Sequence, residues 1–221
     1  MDPKKANELV LVFDENLLYG FQNLFSQIEP KTIIKKNVFS DNSDHQWFSV
    51  CMSRSYFMPR SRVEVNSSYK QIIPYIVLRC ADKCFTYLRA GSEGRLTGKY
   101  SIGIGGHLNP KDYLGVLSDV PMNGAKREFW EELFIEKPII SDHMWIDAGF
   151  RSNPYYLYDP RDSVGQVHFG LVYLINVSPD LSERIRLLEE GEVVGWKSKE
   201  ELQGLGDELE GWSRLVVDAC L

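Results

Sequence analysis

Cysteine is scarce in this sequence, with four residues in a chain of 221. Four cysteines are too few to indicate a disulfide framework. Cys80 and Cys84 form one close pair, whereas a structural zinc site needs about four ligands, usually supplied as two such pairs. We therefore interpret the cysteines as structural or incidental thiols.

Long apolar runs are also missing. No stretch approaches the roughly 20 consecutive apolar residues that a membrane-spanning helix requires. The first residues, Met1–Lys5, are not followed by an apolar segment with a cleavage site of the signal-peptide type. These absences predict a cytoplasmic protein without a membrane partner.

The chain has no excess of basic residues, since 31 acidic residues outnumber 25 lysines and arginines and give a net charge of −6. This charge argues against broad affinity for nucleic acid, although a local basic patch could still meet an RNA 5′ end. The hydrophobic share of 43% and the charged share of 25% are typical of a globular protein with one sizeable core. No internal repeat or low-complexity segment is present.

Hydrophobic patterning predicts strands that alternate with helices. The predicted strands lie at 8–13, 47–58, 76–79, 84–89, 96–104, 144–149, 167–177 and 193–196. The predicted helices lie at 16–28, around 125–137, from Ser178 towards Gly191, after Ser198 and in the tail at 209–216. The segments 31–45 and 151–166 are predicted loops. Strands with helices between and after them predict an α/β fold whose sheet is covered on two faces.

Residues 1–68 are predicted to form an N-terminal extension packed on a main domain that spans 69–221. The extension has too little apolar content to fold independently. Its aromatic residues are interpreted as core, and a cover over the substrate or a homodimer contact are the alternatives.

Acidic side chains cluster in the segment Arg127–Leu133. On a helix that advances about 100° per residue, Glu128, Glu131 and Glu132 share one face. Like charges at this spacing cost a helix roughly 0.2–0.5 kcal/mol per pair. A divalent cation would turn that repulsion into attraction, because Mg²⁺ prefers carboxylate oxygens. The alternative is a solvated acidic face. The neighbouring face, which is predicted to be buried, carries Ala125, Phe129 and Leu133.

A glycine-rich turn, Gly103–His107, lies ahead of this helix, and glycine lets a backbone pass close to a ligand. Turn and helix together resemble the Nudix box of the Nudix hydrolases. The pattern of that box is Gly, five residues, Glu, seven residues and Arg-Glu-aliphatic-x-Glu-Glu-x-Gly-aliphatic. In this chain, five residues separate Gly106 from Asp112, and the helix supplies Arg127–Ile135.

The core of the box, from Arg127 to Glu132, is whole, but its surroundings differ from the family pattern. Asp112 replaces the first glutamate, and fourteen residues rather than seven separate it from Arg127. Phe129 and Phe134 occupy the aliphatic and glycine positions. The longer spacer predicts an extended loop over 109–120 beside the site.

The resemblance implies a Nudix-type α/β/α sandwich with a mixed sheet over residues 69–221. Residues 1–68 would then be a small α+β extension. The segments 69–75 and 101–109 are also similar to a bacterial Nudix subgroup described as predicted phosphoesterases.

For function, the resemblance implies a Mg²⁺-dependent hydrolase, with Mn²⁺ as the alternative ion. It would cleave a diphosphate linkage in a nucleoside diphosphate derivative or a related organic pyrophosphate. The implied metal ligands are Glu128, Glu131, Glu132 and the carbonyl of Gly106. Arg127 would orient a ligand, Glu131 or Glu132 would take part in catalysis, and Gly105 and His107 would lie against the phosphates. The general base stays open among Glu131, Glu132, Glu192, Asp159 and Asp162.

Aromatic and basic side chains gather in the predicted loop 151–166. Rings that stack on a base and guanidinium groups that meet phosphate suit a nucleotide. Arg151, Tyr156 and Arg161 are therefore candidate substrate-binding residues, and the alternative is that the tyrosines cover the sheet. His168, in the following strand, is interpreted as structural, because a lone histidine has no visible partner in the sequence.

Two other functions remain open. A Nudix module could bind a nucleotide or an RNA end without cleaving it, although such members tend to lose the glutamates that are present here. An isomerase on a related scaffold would need a cysteine and added metal-binding histidines. His107 is the only histidine in the glycine turn, which makes the isomerase the weakest of the three hypotheses.

Overall fold

The structure is a computed structural model that describes residues 7–18, 33–36, 42–90, 96–151, 154–161, 163–188 and 191–221. The strands in these ranges are β1 (Leu9–Asp14), β2 (Ile33–Lys36), β3 (Tyr56–Pro59), β4 (Tyr69–Cys80), β5 (Lys83–Arg89), β6 (Tyr100–Ser101), β7 (Gly103–Ile104), β8 (Leu133–Ile135), β9 (Tyr155–Tyr158), β10 (His168–Asn176), β11 (Ile185–Leu187) and β12 (Gly191–Ser198). The helices are α1 (Asn42–Ser53), α2 (Arg60–Val63), α3 (Val120–Glu132), α4 (Ile140–Arg151), α5 (Pro179–Arg184), α6 (Lys199–Gly204) and α7 (Gly211–Cys220).

The chain divides into two compact units, each assembled from three separate segments. The first unit consists of Met1–Pro74, Gly106–Ala125 and Asn153–Val172. The second unit consists of Tyr75–Gly105, Lys126–Ser152 and Tyr173–Leu221.

In the first unit, β1 has an antiparallel partner on each side. It pairs with β3 through Leu9 to Val12 and with β4 through Val12 to Asp14. The ring of Phe13 meets Phe169 with centroids 5.4 Å apart and Trp47 with centroids 6.4 Å apart, edge-on in both cases. Elsewhere in this unit, β9 pairs antiparallel with β2 and with β10. An aromatic core therefore holds the unit together.

In the second unit, β5 pairs antiparallel with the end of β4 and with the whole of β12. The short strand β6 pairs with β5, and the short strand β7 pairs with β4. A separate two-stranded sheet joins β8 to β11. Helix α4 packs through Phe150, whose ring lies 5.9 Å from that of Phe129 and 5.8 Å from that of Tyr173.

Several elements agree with the sequence-based predictions. The α/β fold class is confirmed, and strands occur where the patterns at 8–13, 84–89 and 167–177 place them. Ser178 caps α5, since its Oγ accepts from Leu181 N–H at 3.1 Å. Ser198 forms a capping box with Glu201 at the start of α6. These motifs are local, so neighbouring residues suffice to predict them.

The predicted strand 144–149 and the first part of the predicted strand 47–58 are wrong and are helices instead, whereas the end of 47–58 is β3. The segment 47–53 belongs to α1, where Trp47, Cys51 and Met52 are buried at helical spacing. The segment 144–149 belongs to α4, where Ile146 and Phe150 are buried one turn apart. Both segments are short and mostly apolar, and short apolar runs occur in strands and in helices, so composition favoured the wrong element.

Other boundaries also differ from the predictions. The predicted loop 31–45 contains β2 and the start of α1, and the predicted loop 151–166 contains β9. Helix α5 ends at Arg184, because the next residues pair with β8 as a strand. Helix α3 begins at Val120 and ends at Glu132, so it starts and stops earlier than the predicted helix around 125–137. Residues 16–18 are helical, and the rest of the predicted helix 16–28 lies outside the described residues.

All four cysteines lie in the described part of the chain, and none forms a disulfide. Burial raises the pKa of the Cys51 thiol to about 12 and that of the Cys84 thiol to about 11. These thiols are therefore protonated near neutral pH, in keeping with a structural role. Across the described ranges, no helix has the length and apolar character needed to cross a membrane.

Candidate active site

In the second unit, Arg127 connects two of the three predicted metal ligands. Its Nη1 donates to Glu128 Oε1 at 2.7 Å and to Glu131 Oε2 at 2.8 Å. Glu128 is buried, the side chain of Glu131 is 57% exposed, and Glu132 is half-buried. Helix α3 thus carries an acidic row, Glu128, Glu131 and Glu132, with a guanidinium between its first two members.

The neighbouring face of α3 is buried, as the spacing predicts. Ala125, Phe129 and Leu133 are at most 1% exposed. Burial of a phenylalanine side chain contributes roughly 1.5–3 kcal/mol. Packing of this face holds the end of the helix, and with it the acidic row, in a fixed position.

The acidic row has the donor chemistry of a site for a hard cation, since Mg²⁺ takes carboxylate oxygens. Within the part of the chain that the structure describes, its three carboxylates do not all bring an oxygen within 4.8 Å of the others. Arg127 already bridges Glu128 and Glu131, so a cation would have to share these carboxylates with a guanidinium. The ligand roles of the three glutamates stay predictions.

A buried carboxylate that the sequence analysis missed lies elsewhere in the second unit. Glu210 is 4% exposed, and its Oε1 accepts from Tyr75 at 2.5 Å and from Ser101 at 2.7 Å. Its Oε2 accepts from Arg89 Nε at 2.9 Å. Ser213 donates to Glu210 Oε1 at 3.0 Å and accepts from Ile102 N–H at 3.0 Å. No sequence motif marks this network, because its members are far apart in the chain.

The network changes the ionisation of its members. Burial and the negative charge of Glu210 raise the pKa of the Tyr75 hydroxyl. Burial disfavours the charged form of Arg89, but the negative charges of Glu210 and Glu132 raise its pKa above the ordinary value. Arg89 therefore stays cationic and Tyr75 stays protonated. Glu132, at the end of the acidic row, contributes to the field around this cation.

Packing explains one residue of the glycine-rich turn. A Cβ at Gly103 would lie 1.8 Å from Cζ of Tyr75, so the ring requires glycine there. Gly105 belongs to the second unit, and Gly106 and His107 belong to the first. Their predicted roles toward metal and phosphate stay predictions.

Asp112, at the position of the first glutamate of the box, serves as a structural cap. It is 3% exposed, and its Oδ2 accepts from Asn109 N–H at 2.9 Å. Asn109 in turn accepts from Lys111 N–H at 3.0 Å, which completes a capping box on a short 3-10 turn. This bonding orders part of the predicted loop 109–120.

The predicted nucleotide-binding residues are not gathered on one loop. Tyr156 lies in β9, is fully buried, and packs on Trp47 with centroids 5.7 Å apart. A ring buried in this way has no face open to a base, which argues against its predicted substrate role. Arg161 is 57% exposed and pairs with Asp159 at 2.6 Å. Arg151 ends α4 in the second unit, whereas Arg161 belongs to the first.

The later candidates for the general base differ in their surroundings. Asp159 is buried and receives two hydrogen bonds from the side chain of Arg161. Glu192 lies exposed on β12. Asp162 lies outside the described residues.

His168 is not a lone histidine, because the first unit brings it close to Glu64 and His107. The three residues are far apart in the sequence, so no spacing pattern could have indicated the group. The ring centroid of His168 lies 5.5 Å from that of His107.

Comparison with known proteins shows which sequences and structures this chain resembles. No family model matches the chain. It is 28% identical over 220 residues to Protein YmaB of Bacillus subtilis (strain 168), which covers 97% of this chain and 98% of that protein. Its structure is similar to that of Tm1382, a proposed Nudix hydrolase, with a TM-score of 0.60, 21% identity, and coverage of 96% of this chain and 97% of the other. A NUDIX-family hydrolase from Clostridium perfringens matches with a TM-score of 0.39, 19% identity, and coverage of 67% and 94%.

The chain therefore has the fold of the Nudix hydrolases, which confirms the fold expected from the box. The similarity to Tm1382 spans nearly the whole of both chains. It therefore extends beyond the main domain predicted at 69–221.

Proposed function

We propose that this protein is a Mg²⁺-dependent hydrolase that cleaves a diphosphate linkage in a nucleoside diphosphate derivative or a related organic pyrophosphate. The observation that carries the proposal is the acidic row on α3, with Arg127 bound to two of its members. The fold shared with Tm1382, a proposed Nudix hydrolase, supports the same class of reaction.

The three glutamates of the acidic row would hold the cation, and Mn²⁺ could replace Mg²⁺. When bound, the cation offsets phosphate charge, polarises phosphorus and lowers the pKa of the attacking water. Arg127 donates to both carboxylates from one nitrogen, Nη1, and so fixes Glu128 and Glu131 relative to each other.

Exposure favours Glu131 as the general base, because a base must reach a water molecule and this side chain is 57% exposed. Glu132, which is half-buried, is the second candidate. Exposed guanidinium groups at Arg151 and Arg161 are candidates for phosphate contacts. Gly105, in the same unit as the acidic row, would lie against the phosphates.

A second candidate function is a module that binds a nucleotide without cleaving it. The double ion pair of Arg127 favours this alternative, since a guanidinium already supplies positive charge to Glu128 and Glu131. The two functions differ in whether a metal can enter the acidic row and turn over a substrate.

The test is a screen for release of phosphate or pyrophosphate with Mg²⁺ and with Mn²⁺. The substrates should include nucleoside triphosphates, ADP-ribose, dinucleoside polyphosphates, NADH, CoA and 5′-triphosphate RNA.

Glu131→Gln and Glu132→Gln keep the shape of each side chain and remove its charge. We expect each variant to lose about two orders of magnitude in turnover, as for removal of an electrostatic stabiliser.

Glu136→Gln is the matched control. Glu136 lies just beyond α3, and its side chain is 52% exposed, so its replacement should leave turnover unchanged. Unchanged turnover in both Glu131→Gln and Glu132→Gln, with the fold intact by circular dichroism, would refute the assignment of the acidic row as the catalytic site, and a wild-type protein that turns over none of the substrates would count against the hydrolase itself. Calorimetric binding of a nucleotide without turnover by the wild-type protein would favour the binding module.

A further inference from the structure

Three side chains with metal-binding atoms lie close together in the first unit. None of them belongs to the acidic row. Glu64, His107 and His168 each offer one ligand atom, and these atoms all lie within 4.8 Å of one another. Nε2 of His107 lies 4.0 Å from Oε1 of Glu64. Glu64 and His107 have side chains that are 11% exposed, and His168 is 9% exposed. The three residues form a largely buried group, called here the His–Glu group.

Backbone hydrogen bonds anchor the segment of the chain that carries each member of the group. Glu64 follows α2, and its N–H donates to Arg60 O at 3.0 Å. Next to His107, the fully buried Leu108 accepts from Leu11 N–H of β1 at 2.8 Å. His168 follows Val167, whose carbonyl accepts from a residue of β4 at 2.8 Å. A site built on anchored segments needs little ordering when a ligand arrives.

A backbone carbonyl sets the tautomer of His168. Its Nδ1 lies 2.7 Å from the carbonyl oxygen of Val164. A carbonyl can only accept, so Nδ1 must carry the hydrogen. In the neutral ring, Nε2 then carries the lone pair that a metal requires. Metal-bound histidines usually donate the hydrogen of their other ring nitrogen in this way.

We propose that the His–Glu group binds a divalent transition metal of the Zn²⁺ class. Two imidazoles and a carboxylate are a common zinc ligand set, and imidazole nitrogen favours zinc over Mg²⁺. Ligands at about 2.0–2.1 Å in a tetrahedral arrangement lie about 3.3 Å apart. The Glu64 and His107 atoms therefore need to approach by less than one ångström from their present 4.0 Å. Three protein ligands leave a fourth position for water or an anion.

The charge around Glu64 suits a ligand role. Arg60 donates to Glu64 Oε1 at 2.9 Å, and it also pairs with Glu8 at 3.3 Å. Because Glu8 shares this guanidinium, two carboxylates offset one positive charge beside the site. None of these residues belongs to the acidic row, and the proposal shares with the hydrolase assignment only His107, whose predicted phosphate contact zinc binding does not require.

The test is zinc binding by the untagged full-length protein, measured by equilibrium dialysis with metal analysis in the presence of millimolar Mg²⁺. We expect the wild-type chain to bind about one equivalent of Zn²⁺ per chain at the His–Glu group. His168→Gln and Glu64→Gln each remove one ligand and should weaken zinc binding at least tenfold, because even replacement of an outer partner of a ligand typically costs about 10–100-fold.

His143→Gln is the matched control, because His143 is exposed and lies outside the group. It should bind zinc as the wild type does, and circular dichroism should show that each variant is folded. If His168→Gln does not fold, Glu64→Gln together with the wild-type stoichiometry decides the question. The proposal is overturned if the wild type shows no saturable zinc uptake, or if folded ligand variants bind zinc as tightly as the control.

Discussion

Tyr75 lies above Gly103 and donates a hydrogen bond to Glu210. The hydroxyl of Tyr75 also lies 2.7 Å from Ser213 Oγ, so its ring has little freedom to move. Replacement of Gly103 by alanine would place a methyl group 1.8 Å from Tyr75 Cζ. The ring can yield only by giving up its bonds to the buried carboxylate.

We expect Gly103→Ala to destabilise the protein by about 3 kcal/mol, which combines overpacking with loss of a buried hydrogen bond. The measurement is urea unfolding followed by circular dichroism. Gly204→Ala is the control, because no atom lies within 4 Å of a Cβ at Gly204. Alanine there should be neutral or slightly stabilising, since it favours helix. Similar stabilities for the two variants would contradict this account.

Residue-scale features were predictable where the interaction is local. The cap at Ser178 needs only the next three residues to form, and a sequence motif indicates it. The bonds of Glu210 to Ser101 and Tyr75 span more than one hundred positions. A glutamate that sits in a polar stretch gives no sign of such partners, because only the folded chain brings them together.

At the scale of elements, Arg184 connects the end of α5 to the start of α4. Its guanidinium donates to Glu136 O at 3.2 Å and to Lys137 O at 2.9 Å. It also binds both carboxylate oxygens of Asp142, at 2.9 and 3.1 Å. Lys137 has a φ of +49°, a conformation that a non-glycine residue rarely adopts. Arg184 therefore stabilises an unfavourable turn between β8 and α4.

This ion pair makes stability depend on pH. Burial acts to raise the pKa of Asp142, but hydrogen bonds from Arg184 and from Ile139 N–H outweigh it and lower the pKa below its ordinary value. A carboxylate whose pKa is lower in the folded state stabilises the protein above the unfolded pKa of about 3.9. That contribution is lost as the pH falls through the lower, folded pKa.

We expect Asp142→Asn to destabilise the protein by about 2 kcal/mol at pH 7, since hydrogen bonds to charged groups contribute about 1.5–3 kcal/mol. The difference from wild type should stay constant down to about pH 5 and shrink below about pH 4. Urea unfolding at a series of pH values measures it. Asp180→Asn is the control, because Asp180 also pairs with Arg184 but its side chain is 75% exposed, so it should have little effect. A pH-independent difference for Asp142→Asn would contradict the pKa argument.

The element errors have a physical reason. Short apolar runs fill cores from helices and from strands, so the runs at 47–53 and 144–149 do not distinguish the two elements. Strand β8 is an error in the other direction, a predicted helix that is a strand. Leu133 continues the apolar face of α3, so the pattern predicts helix there. Its backbone nevertheless pairs with Leu187 of β11. Such pairing depends on a distant segment and overrides local preference.

At the scale of the whole molecule, the box and the His–Glu group differ in how far the sequence predicts them. The core of the box is continuous from Arg127 to Glu132, so its spacing was visible. The His–Glu group joins three segments of the first unit, and nothing in the sequence places those segments together. The fold was predictable through the box, whereas the second candidate site required the structure.

The first unit gives the N-terminal residues a structural role. Phe13 and Trp47 pack on Phe169, with centroids 5.4 and 5.7 Å away. Lys70 is fully buried, and its Nζ donates to Glu15 at 2.9 Å and to carbonyl oxygens at 67 and 166, both at 2.6 Å. Removal of residues 1–68 would leave this cation with one of its three partners.

We therefore expect the fragment 69–221, although it contains the whole predicted Nudix domain, to fail to fold stably. It would expose Phe169 and Tyr156, which are fully buried in the complete chain, and leave the charge of Lys70 under-satisfied. The fragment should bind ANS strongly and lack a cooperative thermal transition, unlike the full-length protein. Addition of separately produced 1–68 should restore cooperativity. A fragment that unfolds cooperatively at the full-length melting temperature would instead make 1–68 an appendage, and the aromatic contacts of Phe13 and Trp47 would then contribute little to the stability of the first unit.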